Sequence, residues 1–222
     1  AYDLCTARIA ELEDLRLDRW RVALNGSEPV HGPTLSRFFE KFGPVGFAPS
    51  AMMPVYGMAE ATLAVTFSPV GRGSATLGVD RRTLEEQGRV LRSNAPDARA
   101  AVSVGKPLAG TRVSIVDEHG KQVEAGVVGE VRVAGPSLMD GYFRNDEASA
   151  AVLKDGWLST GDLGFSADGT LFIAGRAKEM VIKAGRNLYP YDVERVVGEL
   201  AGVRLGGVAA FGRENESTGT DD

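Results

Sequence analysis

Trp157-Leu-Ser-Thr-Gly-Asp-Leu-Gly-Phe-Ser-Ala-Asp-Gly-Thr-Leu-Phe-Ile-Ala-Gly-Arg176 carries the strongest fold signal in the 222-residue chain. Residues 158–160 and 170–173 are short apolar runs, and Asp168-Gly169 between them is a hairpin turn signal. Working outward, residues 113–116, 127–133 and 180–182 are further apolar runs separated by Gly, Asp and Asn turns. Their spacing is that of an antiparallel sheet or barrel from residue 102 onward. Upstream the texture differs. Residues 20–24 read as a buried strand closed by Asn25-Gly-Ser-Glu-Pro29, and residues 32–42 as a helix ending at Gly43-Pro44. Residues 52–56 read as a strand, followed by a turn at Gly57 and a helix through Leu63. Residues 68–101 are irregular, with a helix near 82–91.

The ends add two amphipathic segments. Leu4, Ile9, Leu12, Leu15 and Leu17 are spaced for one helix face, and residues 190–200 open with Pro190 and place Val193, Val196 and Val197 on one side. A short apolar strand over 208–211 and a polar tail, 212–222, follow. A lone helix and strand after Pro190 cannot bury their own apolar faces. The pattern points to truncation at both ends; frayed termini of an intact protein are the alternative.

Composition narrows the class. Apolar residues make up 43% and charged residues 25%, so the chain can bury a large core and is not disordered in bulk. Its 28 glycines, against about 16 at average usage, point to tight turns or a backbone-lined ligand site. A net charge of −5 argues against non-specific nucleic-acid binding. The single cysteine, Cys5, cannot form an internal disulfide, and a reduced, cytoplasmic setting is expected. No apolar run reaches the ~18 residues of a membrane-spanning helix.

Four segments have chemistry in them, and each also has an ordinary structural reading. Thr160-Gly-Asp162 places a carboxylate beside a glycine just after a strand, fit to accept two ribose hydroxyls or simply to cap a turn. Tyr56-Gly57-Met58-Ala59-Glu60 leaves one ring face open to a base. Glu60 can meet a Mg²⁺ shared with phosphates, or favour a helix N-terminus. Gly175-Arg176-Ala-Lys178 through Lys183 to Pro190 offers basic groups for ribose or phosphate, or a solvated hairpin. The turn Asn25-Gly26-Ser27-Glu28-Pro29 has bare backbone suited to lining a flat purine, or is a plain turn.

Taken in order, these segments resemble the adenylate-forming (AMP-binding) superfamily. The motifs are Tyr56-Gly-Met-Ala-Glu60, Gly129-Glu-Val-Arg-Val-Ala-Gly135 with Gly141-Tyr142, Trp157-Leu-Ser-Thr-Gly-Asp162, and Gly175-Arg176 through Gly185. Four ordered motifs are far more specific than any one of them. The wording is most like the fatty acyl-AMP ligases: Ala59 stands where most relatives carry a phosphate-binding Thr, and Gly185-Arg-Asn-Leu-Tyr-Pro190 has that branch's form. The segment between Glu60 and Gly105 is also long, and residues of about 72–100 match an insertion that in this branch restrains the small domain.

The resemblance implies an α/β fold in which residues 1–176 are the C-terminal half of the large adenylation domain, an α/β layer plus a small β-barrel at about 102–176. Residues 177–222 would be the start of the small α+β domain. It implies ATP and Mg²⁺ as substrate and cofactor. Asn25, Gly26, Ser27, Glu28, Pro29 and Tyr56 would wall the adenine, with Gly57, Met58 and Ala59 lining the same site. Glu60 would ligate the metal, and Asp162, helped by Arg176, would hold the ribose. Lys178 matches the hinge, and Lys183 faces the site in some relatives. The implied reaction joins a fatty acid to AMP with release of pyrophosphate, for delivery to an acyl carrier protein or polyketide synthase. A fatty acyl-CoA synthetase, or a non-catalytic nucleotide-binding fragment, is the alternative. The family's phosphate loop and C-terminal catalytic lysine find no match in this chain, so the polypeptide alone is expected to be a poor catalyst.

Overall fold

The computed structural model describes residues 1–183, 185–204, 206–215 and 220–221. In chain order its elements are α1 (Tyr2–Arg8), β1 (Ala23–Asn25), α2 (Gly32–Phe42), β2 (Met52–Met58), β3 (Leu63–Phe67), β4 (Thr76–Val79), α3 (Arg81–Gln87) and β5 (Arg99–Pro107). There follow β6 (Arg112–Val116), β7 (Gly129–Ala134), α4 (Asp146–Val152), β8 (Leu153–Lys154), β9 (Trp157–Ala167) and β10 (Thr170–Arg176). Beyond Arg176 lie β11 (Val181–Lys183), β12 (Arg186–Leu188), α5 (Pro190–Gly198), β13 (Glu214–Asn215) and β14 (Thr220–Asp221).

Among the described residues one ladder joins ten strands in the order β1-β2-β3-β5-β10-β9-β7-β6, with β4 on β5 and β8 on β9. The α/β layer and the strands expected to form a small β-barrel are therefore hydrogen-bonded into one sheet. Only β1 and β2 pair in parallel; the other pairings are antiparallel. The hairpin expected at Asp168-Gly169 joins β9 to β10, with Ala167 opposite Thr170.

Among the described residues three apolar clusters hold the sheet. Leu35, Phe38 and Phe42 of α2 meet Phe47, Met52 and Ala23 on one face. Val65, Val104, Val131, Val133 and Leu171 form a second cluster, with Tyr56, Met58 and Ala61 packed against or within it. Val79 and Leu84 join Phe165, Phe172 and Tyr189 in a third.

Several local expectations change. The N-terminal helix stops at Arg8, where Ile9 turns to extended backbone. Leu12, Leu15 and Leu17 instead reach the first cluster from irregular chain, so the apolar spacing reflects burial without a continuous helix. The first strand spans Ala23–Asn25; Trp20 lies outside it, its ring edge-on to Phe38 and Phe47. No helix runs through Leu63. A single 3-10 turn, Ala59–Ala61, ends where Thr62 and Leu63 take positive φ of 53° and 85°, and β3 starts at once. Residues 72–100 are more ordered than their texture suggested: β4 pairs with β5, and α3 is capped by Asp80 and closed by Gly88. Residues 208–211 form no strand; the paired residues come later, in β13 and β14. Residues 216–219 and 222 of the expected tail lie outside the described residues.

Candidate functional site

The site forms where β1 and β2 run side by side, with Asn25 in register with Pro54. Crevices beyond the carboxyl ends of parallel strands are common ligand sites, because the loops leave there with free backbone donors. Gly26 lies against β2 so closely that a Cβ on it would sit 2.8 Å from the Val55 carbonyl oxygen. The Asn25–Pro29 turn therefore lies alongside the stretch that leads into Tyr56. Asn25 and Gly26 are half-buried, while Ser27, Glu28 and Pro29 are exposed.

Asp162 lies in the middle of β9 and is buried. The β9–β10 register slips between Ile173 and Gly175, and this irregularity sets Arg176 directly opposite Asp162. An uninterrupted ladder would have put Gly175 there. The Arg176 Nε donates to Asp162 Oδ1 at 2.9 Å, and the Tyr56 hydroxyl donates to Oδ2 at 2.6 Å. Behind them the Asp162 N–H donates to Thr160 Oγ1 at 3.0 Å, and that hydroxyl donates to the Val131 carbonyl at 2.7 Å. Burial, then the Asp162 carboxylate, pushes the Tyr56 hydroxyl far above the ordinary phenol value, so it stays a proton donor. Three expected residues are thus one hydrogen-bonded unit: Asp162 and Arg176 face each other on the β9–β10 hairpin, and Tyr56 joins them from a strand far away in sequence.

Glu60 sits on the 3-10 turn that follows β2. Its Oε1 accepts from the Tyr142 hydroxyl at 2.8 Å, and this bond is the main reason the Tyr142 hydroxyl is raised above its ordinary value. Among the described residues no three His, Cys, Asp or Glu side chains gather to hold a metal by themselves. A lone carboxylate with an uncommitted oxygen suits Mg²⁺, which commonly takes one or two protein carboxylates and completes its octahedron with phosphate oxygens and water.

Gly57 is fixed by space. A Cβ there would lie 1.5 Å from the Leu63 carbonyl oxygen, at the irregularity between Tyr56 and Gly57 in the β2–β3 ladder. Met58 packs on the second apolar cluster, and Ala59 is exposed. Lys178 and Lys183 are also exposed, on the turn after β10 and on β11. Sequence reading gave no role to Tyr142 and Thr160, although both stand inside quoted motifs. Neither the pairing of Tyr142 with Glu60 nor the seating of Thr160 on Val131 leaves a trace in local spacing.

The family model for AMP-binding enzymes matches residues 3–143, and the chain belongs to that family. It is 39% identical over 218 residues to a Caulobacter vibrioides protein provisionally named an acyl-CoA synthetase, covering 95% of this chain and 38% of that one. It is 38% identical over 211 residues to JamA of Moorena producens, a medium-chain-fatty-acid acyl-carrier-protein ligase, covering 89% and 36%. A solved structure from work on fatty acyl-adenylate ligases of E. coli and L. pneumophila superposes with a TM-score of 0.85 at 40% identity, over 90% of this chain and 37% of that one. The chain thus spans well under half the length of these relatives.

Proposed function

We propose that this chain carries the ribose- and adenine-binding floor of a fatty acyl-AMP ligase, which joins a fatty acid to AMP from ATP and releases pyrophosphate. The observation that carries the reading is the buried Asp162 carboxylate, with Tyr56 on one oxygen and Arg176 on the other. A nucleotide's two ribose hydroxyls can take the lone pairs of this carboxylate while Arg176 keeps its charge balanced. Tyr56 offers an aromatic face to the base, and the turn at Gly26, packed close on Val55 of β2, lies beside it. Glu60 would hold Mg²⁺, which neutralises phosphate charge while pyrophosphate leaves. The chain's own residues bind and orient: with the nucleotide held at its ribose, the fatty acid carboxylate is set in line with the α-phosphorus.

The names of the relatives support fatty acid activation. The acceptor after adenylation is read as a carrier-protein thiol, on the likeness to the Moorena ligase and on residues 72–100. That segment lies between the sheet and the residues beyond Arg176. Val79 and Leu84 share a cluster with Tyr189, and Glu85 pairs with Arg186. This supports its expected role of restraining the small domain. The Caulobacter relative's name favours coenzyme A as the second reading. Among the described residues no helix is long and apolar enough to cross a membrane.

Two measurements on the full-length protein test this. Fatty acid, ATP and Mg²⁺ should give acyl-AMP and pyrophosphate, and a carrier protein should accept the acyl group where coenzyme A does not. Asp162→Ala should weaken binding of an acylsulfamoyl-adenosine mimic at least ~100-fold, since two hydrogen bonds to a charged group are lost. Undiminished binding would remove Asp162 from the nucleotide site.

A further inference from the structure

The turn that carries Glu60 is fastened to a segment far along the chain. The Glu60 carbonyl accepts from the Met139 N–H at 2.8 Å, the Thr62 hydroxyl donates to the Ser137 carbonyl at 2.8 Å, and the Tyr142 hydroxyl donates to Glu60 Oε1 at 2.8 Å. The first two bonds place the backbone. The third alone reaches the carboxylate. Tyr142 is itself secured: its N–H donates to Ser149 Oγ at 2.8 Å, and that hydroxyl donates to the Asn145 carbonyl at 2.7 Å.

Tyr142 is 36% exposed and belongs to none of the three apolar clusters, so its ring adds little packing. What distinguishes it is a directed hydroxyl. Among the described residues, the Tyr142 hydroxyl on Oε1 is the one hydrogen bond of the Glu60 carboxylate, and Oε2 is left open. An unrestrained Glu side chain loses rotamer freedom when it captures an ion; one already held by a single oxygen loses less. Partners that hold a metal-ligating carboxylate in this way set its orientation and basicity.

We propose that Tyr142 is a positioning residue for the Glu60 carboxylate, holding Oε1 so that Oε2 is left for Mg²⁺. This rests on the reading of Glu60 as the metal ligand. The role does not require Tyr142 to touch the nucleotide.

Calorimetric titration of Mg²⁺ into the full-length protein with a non-hydrolysable ATP analogue tests it. Tyr142→Phe should raise the Mg²⁺ concentration for half-saturation about tenfold. Its affinity for the metal-free acylsulfamoyl-adenosine mimic should stay unchanged. Ser149→Ala loosens the loop and leaves the hydroxyl–carboxylate bond in place, so it should shift the Mg²⁺ requirement less than Tyr142→Phe does. An unchanged Mg²⁺ requirement in Tyr142→Phe overturns the proposal. So does an equal loss of Mg²⁺ and mimic binding, which marks a merely structural role. Glu60→Gln separates the two readings: if it keeps the Mg²⁺ dependence, Glu60 is not the ligand and the underlying assignment fails.

Discussion

The sheet up to Arg176 and the chain beyond it are built in opposite ways. In the sheet, Val65, Val131 and Val133 are fully buried, and Asp162 has a partner on each oxygen. Beyond Arg176, Val193, Val196, Leu200 and Phe211 are 45–77% exposed, and Tyr189 is the one buried hydrophobic residue among those described. The first region is a floor held by packing. The second is an arm fixed at a few points: Tyr189 in the third cluster, Arg186 on Glu85, Asp192 on Arg99, and Tyr191 stacked on His31. Floor and arm should therefore respond differently to the same kind of perturbation.

The largest effect is expected in the floor. Gly57→Ala drives a methyl group into the Leu63 carbonyl and must pry open the β2–β3 ladder. A loss of about 3 kcal/mol in urea unfolding is expected, with a rigid backbone as the obstacle. A loss below 1 kcal/mol would mean the floor yields as easily as the arm.

The seam comes next. The His31 imidazole stacks on Tyr191 at 3.8 Å between ring centres. Burial, then Arg99 and Arg195, lower its pKa from 6.5 to about 4, against a smaller opposing pull from Asp3. The folded value lies below the unfolded one, so the unfolded chain binds the extra proton between those limits. Stability from His31 is complete above pH 6.5 and falls as pH drops towards 4, by at most ~3 kcal/mol. His31→Phe should flatten that slope in unfolding measured from pH 7 to 4. An unaltered slope would place the acid sensitivity elsewhere.

Arg99 sharpens the contrast. It meets Asp192 at 3.2 Å with both side chains 15% exposed, donates to the Ala174 carbonyl, and lies 4.5 Å over the Tyr189 ring. Arg99→Ala should cost about 2 kcal/mol and raise amide exchange in α5 while leaving β9 protected. Equal exchange gains in both would erase the distinction. Arg92→Ala is the smallest: it removes an ion pair to Asp168 that is 61% and 69% exposed, and unfolding should change by less than ~0.5 kcal/mol.

Much of the floor was legible in the sequence because its signals are local. The helix over Gly32–Phe42 follows from its apolar period and its Gly-Pro stop, and the β9–β10 hairpin follows from Asp168-Gly169. Asp162 was singled out through a motif, yet its geometry was not legible. Arg176 faces Asp162 only because the ladder slips between Ile173 and Gly175, and no residue there announces the slip. The helix expected after Gly57 failed for a related reason. Thr62 and Leu63 have ordinary side chains but take positive φ, because the chain must turn back into β3 within one residue. Tyr142 was missed because its partner lies far away in sequence, and a hydroxyl's partner cannot be inferred from spacing.

Strand β5 has a further consequence, in the order of assembly. Its first half pairs with β4, its middle with β10, and its end with β3. Val79 and Arg99 close a short loop, Phe67 and Lys106 a longer one, and Leu171 and Gly105 the longest. Closure entropy grows with loop length, and non-local pairings slow folding. Of the three pairings of β5, the one with β4 thus closes with the least entropy loss. Through that pairing the segment between Glu60 and Gly105 is tied into the sheet by its shortest loop.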